Sequence, residues 1–135
     1  MKSLYLAVLL EAQELARAVM DEPLQSASSA ELLREIVKRR ARVYEHLLPT
    51  QISRTLLEHR FDQAQSDSRN GVRRRRKRLK QILPSEIVAD PLLFEAIDGV
   101  LSIVFWVSLR RDQKLSAQKS EAVMLRAVLR LTRTS

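Results

Sequence analysis

An all-α fold in a single domain is what this sequence predicts, on three observations. The first is composition. Gly occurs only 2 times and Pro 4 times in 135 residues, while Leu, Ala, Arg and Glu, all good helix formers, are common. The second is periodicity, with apolar residues recurring at three- and four-residue spacing along most of the chain. The third is punctuation: Pro23, Pro49, Pro84 and Asp90-Pro91 divide those periodic stretches at helix-like lengths. At 135 residues the chain suits one domain of residues 1–135 and is too short for two of ordinary size. With 45% hydrophobic and 30% charged residues it carries enough apolar surface to bury a core.

Six helices follow in order. The first spans 4–20, with Leu4, Val8, Leu15 and Val19 on one stripe, and Asp21-Glu22-Pro23 ends it. After a polar loop, with Ser29 as N-cap, the second spans 30–48. Leu33, Ile36, Val37, Val43 and Leu47 mark its apolar face, and Lys38, Arg39, Arg40 and Arg42 fall on the other faces. The third spans 52–63, with Ile52, Leu56 and Phe61 inward. The fourth spans 72–83 after a turn at 66–71, although a capped helix running through Gly71 costs little more. Asp90 as N-cap and Pro91 at the first helical position open the fifth, which runs to about residue 111, where Arg110 and Arg111 complement the helix dipole. Ser116 caps the sixth, 116–132.

Several function classes are excluded or disfavoured. Without cysteine there is neither a disulfide framework nor a thiolate metal site. The lysine and apolar run at the start are followed by Glu11 and Glu14 with no small-residue cleavage site, and no apolar run reaches the length that spans a bilayer. A cytoplasmic protein is the expectation. No Gly-rich phosphate loop, His-Glu-x-x-His pair or nucleophile with a base is present, so no enzyme activity and no cofactor are expected. His46 and His59 are the two histidines, and Asp62 near His59 is a weak metal pattern, so no metal site is expected.

The fifth helix is apolar around almost its whole circumference. Gly99-Val100-Leu101-Ser102-Ile103-Val104-Phe105-Trp106-Val107-Ser108-Leu109 leaves no polar face, and such a helix must be buried on two sides. The sixth helix exceeds one apolar stripe in a milder way. Either the fifth is a central core helix wrapped by the others, or it covers its second side with a copy of itself. The expected homodimer packs the last two helices of each subunit into an intermolecular four-helix bundle through Ile97, Val100, Leu101, Val104, Leu125, Val128 and Leu129.

The net charge is +8, and most of it sits in one run: Arg73, Arg74, Arg75, Arg76, Lys77, Arg78 and Lys80 make seven of eight residues cationic. One reading is phosphate contact with strong salt dependence. The other is a solvated helix turn anchored by Val72, Leu79, Ile82 and Leu83, with counter-charge from Glu86, Asp62 or Asp67.

Lys2, Leu4 and Tyr5 stand where regulators of the TetR (tetracycline-repressor) type carry a lysine, then a leucine, at the start of a long connecting helix. The stretch from Arg39 through Tyr44 and Leu48 to Pro49, and that from Leu92 through Phe94 and Gly99 to Ser102 with Trp106, Leu109, Gln113 and Ser116, also resemble this family. The resemblance covers nearly the whole chain. It implies a six-helix regulatory core that dimerises and takes a small, often apolar or cationic, effector between its helices. No segment of the chain reads as a helix-turn-helix, so the DNA-reading headpiece of such regulators is not found in it. Residues expected to line the effector pocket are Tyr44, Phe61, Phe94, Phe105 and Trp106. The rival to this reading is a headless helical adaptor that binds protein or nucleic acid through the basic run at 73–80.

Overall fold

A computed structural model of the chain describes residues 2–25, 28–50 and 62–133. The expected third helix, with Phe61 and His59, falls largely outside them. The rest is all-α: among the described residues there are seven α-helices and no strand. They are α1 (Lys2–Met20), α2 (Ser29–Leu47) continued by a 3-10 turn (Leu48–Thr50), α3 (Asp62–Ile82), α4 (Ser85–Val88), α5 (Pro91–Val100), α6 (Ile103–Val107) followed by one π turn (Ser108–Asp112), and α7 (Ala117–Leu131).

Helix α2 is the centre. It packs against α1, α6 and α7, and α7 also packs against α5. The core is built from Leu33, Ile36, Val37, Ala41 and Tyr44 of α2, with Phe94 and Ile97 of α5, Leu101, Trp106, and Met124 and Val128 of α7. Ser28, not Ser29, caps α2: its hydroxyl accepts from the Glu31 amide at 3.2 Å. Arginines close two helix ends. Arg39 donates to the Met20 carbonyl at the end of α1, at 3.1 Å, and Arg111 donates to the Leu48 carbonyl at the end of α2, at 3.0 Å. Both carbonyls would otherwise lack an intrahelical donor.

Helix α3 runs straight through the expected turn at 66–71. Gly71 is buried, and a Cβ added to it would meet only the end of the Arg75 side chain, at 3.4 Å. Leu79 and Leu83 anchor the C-terminal end of this segment in the core.

The largest departure from expectation is the break in the fifth helix. The helical path from 91 to 112 is bent by 43° at Leu101-Ser102. Three interactions make the break. The Ser102 hydroxyl accepts from the Phe105 amide at 3.2 Å, which caps α6. It also donates to the Gly99 carbonyl at 2.7 Å. The Leu101 carbonyl, at the C-terminal end of α5, is taken from across the core by Tyr44 Oη at 2.5 Å and Arg40 Nη1 at 3.3 Å. Arg40, placed on a polar face by the sequence, is therefore buried beside Tyr44, to whose hydroxyl it donates at 2.9 Å. A buried guanidinium is tolerated there because it has acceptors and sits at the negative end of a helix dipole.

Candidate functional site

Two helical stripes build an exposed apolar face. On α5, Leu92, Ala96 and Val100 follow at four-residue spacing, and Val104 continues the exposed apolar surface on α6. On α7, Val123, Ala127 and Leu131 repeat the same spacing. Leu92 is 83% exposed and Val104 70%, and Val123 and Leu131 are exposed too.

Neighbouring helices orient the two stripes. Arg76 of α3 holds Glu95 and Asp98 on one flank of α5, so Ala96 and Val100 lie on the other flank. Glu121 and Leu125 of α7 border grooves shared with α2, so Val123 and Ala127 turn away from α2. Helices α5 and α7 are in contact, so the two stripes sit on neighbouring helices. The named positions carry no charge, while exposed Lys119 stands one turn before Val123, and Arg130 and Glu95 border the stripes.

The sequence located this surface only in part. Of the seven residues expected at the interface, Val104 is exposed and Val100 half-buried on the face. Ile97, Leu101 and Val128 are fully buried inside the protomer, because they point into the α5–α2–α7 core, and have no surface to offer a partner. Leu125 and Leu129 lie on the opposite flank of α7, beside Arg34 of α2. Leu92, Val123 and Leu131, which are not among the seven, are exposed as well. An apolar helix pair does not announce which of its stripes faces inward.

The aromatic residues expected around a pocket are mostly core. Tyr44, Phe94 and Trp106 are buried, and Phe105 is half-buried against the same core. Phe61 lies outside the described residues. A groove of about 840 Å³ borders Trp106 between α2 and the start of α7, edged by Glu22, Glu35, Glu45 and Glu121 and by Lys38, Arg39, Arg42 and His46. Its floor carries a polar cluster. Glu45 accepts from Trp106 Nε1 at 2.9 Å and pairs with Arg110 at 2.6 Å, while Arg110 also donates to the Leu115 carbonyl at 2.8 Å. The hydrogen bond from Arg110 holds the Glu45 carboxyl below the usual carboxylate range, and the same bond raises Arg110.

The basic run divides into cations with a partner and cations without one among the described residues. Arg76 is fixed by Glu95 at 2.7 Å and Asp98 at 2.6 Å, which raise it above the ordinary arginine value and lower Glu95. Arg78 faces Asp21 at 3.9 Å. The counter-charges thus come from α5 and the end of α1 rather than from Glu86. The side chains of Asp62 and Asp67 are outside what is described. Lys80 lies over the Phe94 ring, 5.1 Å from its centroid. Arg73, Arg74 and Lys77 are exposed, and Arg75 is engaged. Among the described residues no group of three His, Asp or Glu side chains is placed to hold a metal ion. Compared with known proteins, the chain matches no family model, no curated protein and no solved structure.

Proposed function

We propose that this chain is the self-associating, effector-responsive core of a transcription regulator of the TetR type, working as a homodimer. The observation that carries the reading is the exposed apolar face of α5, α6 and α7. A largely apolar exposed surface of this kind is costly to leave in water. A second copy related by a twofold axis brings the same stripes, so apolar groups meet apolar groups with no new residue required. Four helices, two from each copy, then form a bundle.

The effector is a small molecule taken up beside Trp106, in the groove between α2 and α7. Glu121 on its edge gives the polar end of a cationic molecule a partner, and the Trp106 edge gives its apolar part a wall. A ligand that binds one separation of the two copies more tightly shifts the population toward it, and this is the regulatory step.

The chain has no cysteine of its own, so single thiols report proximity cleanly. Val104→Cys should be captured as a covalent dimer by a short bis-maleimide at micromolar concentration. Leu10→Cys, also exposed (53% against 70% for Val104) but on α1 and off the face, should stay monomeric. Equal cross-linking of the two variants would contradict the reading.

A further inference from the structure

Helix α3 carries a second surface that dimerisation and effector binding leave unused. At about 100° per residue, Arg69, Arg73, Lys77 and Lys80 fall within an arc of about 80°. The buried face of the same helix, marked by Gly71, Leu79 and Ile82, lies on the opposite side. All four cations are exposed; Arg69, Arg73 and Lys77 have no carboxylate partner among the described residues, while Lys80 lies over the Phe94 ring and acts through space on Glu95. They repeat roughly once per turn over about 16 Å of helix. The neighbouring cations are engaged: Arg76 is held by Glu95 and Asp98, and Arg78 by Asp21. Those pairs tie α3 to α5 and to the end of α1, on either side of the stripe.

We propose that this stripe, Arg69–Arg73–Lys77–Lys80, is a docking surface for the phosphate backbone of duplex DNA. The reasoning is by charge complementarity and by what surrounds the charges. About 16 Å of duplex presents about ten phosphates, so a straight row of four cations finds partners in any register. Single-stranded nucleic acid is disfavoured because stacking needs an exposed ring, and the one beside the stripe among the described residues, Phe94, is buried beneath Lys80. A membrane surface is disfavoured because the arc carries no apolar residue to insert, Leu79 and Leu83 being buried. An acidic protein gains little from a row of exposed pairs, whereas a polyanion releases condensed counterions at each contact. The net charge of +8 draws such a polyanion in from a distance. The contacts reach only phosphate, so binding is indifferent to sequence. This inference does not rest on the regulator reading: a monomer with no effector would carry the same stripe.

The test is fluorescence anisotropy of a labelled duplex of about 20 base pairs, titrated with the 135-residue chain at about 50 and 200 mM KCl. Four phosphate contacts give a log–log salt slope of about −3.6, so affinity should fall about 100-fold across that interval. Replacing Arg69, Arg73 and Lys77 together by Gln should flatten the slope by about 2.7. Replacing Lys119, Arg126 and Arg133, three exposed cations elsewhere, by Gln should leave it where it was. Circular dichroism confirms that both variants fold. The proposal is overturned if the duplex does not bind at the lower salt, or if the two triple variants lose affinity alike. It is also overturned if a single-stranded oligonucleotide or phosphatidylserine vesicles bind more tightly than the duplex.

Discussion

Tyr44, Arg40 and the Leu101 carbonyl form a buried polar group in an otherwise apolar core. Removing the Tyr44 hydroxyl strands part of Arg40 and weakens the cover on the Leu101 carbonyl. Tyr44→Phe should therefore cost about 1–3 kcal/mol, read as a lower urea midpoint with unchanged slope. Ser120 is the converse case. Its hydroxyl is buried and has no hydrogen-bond partner among the described residues, so Ser120→Ala should stabilise the fold by about 1 kcal/mol in the same assay. At Glu45 the expected effect depends on pH. Its folded-state pKa is depressed, by the Arg110 hydrogen bond first, so its contribution is present above the ordinary value of 4.5 and is lost as pH falls through the lower folded value. Arg110 stays charged throughout. Glu45→Gln should thus lower the urea midpoint at pH 7, and the gap to the parent chain should close below about pH 4.5. A gap that stayed constant into acid would refute the assignment. None of these pairings was legible in the sequence. Tyr44 and Glu45 meet partners roughly sixty residues away, and only the packing of α2 on the α5–α6 corner brings them together.

The elements were easier to read than their joints. Asp90 accepts from the Leu93 amide and Ser116 from the Lys119 amide, as N-cap chemistry at those positions predicts. The joint at Leu101-Ser102 was hidden because the residues around it are uniformly apolar, and periodicity cannot locate a bend inside such a run. Ser102 was the available signal, a serine whose hydroxyl can cap a new helix. Ser102→Ala should cost about 1 kcal/mol and lower the thermal midpoint. An unchanged midpoint would mean that the bend is imposed by Tyr44 and Arg40 alone. The continuous α3 follows the second of the two alternatives the sequence left open at 66–71. Asn70-Gly71 looks like a turn, yet glycine inside a helix costs only about 1 kcal/mol, and the surrounding polar and basic residues tolerate the helix well.

At the scale of the molecule, composition and periodicity were enough for the all-α class, and an excess of apolar surface in the last helices was also legible. Which side of those helices stays exposed was not. Ile97, Leu101 and Val128 differ from Leu92, Val104 and Val123 only in the direction they face once α2 occupies the centre. The self-association at the heart of the proposed function rests on the second set. Charge belongs to the same scale: with the basic stripe on α3 and the apolar face on α5 to α7, the two surfaces can be disabled separately. The most direct measurement is the solution mass by light scattering at micromolar concentration, for the chain and for Val104→Glu. The account predicts twice the 15.6 kDa chain mass for the parent and the single-chain mass for the variant, with helical content retained in both. A parent chain at 15.6 kDa, or a variant that keeps the doubled mass, would contradict it.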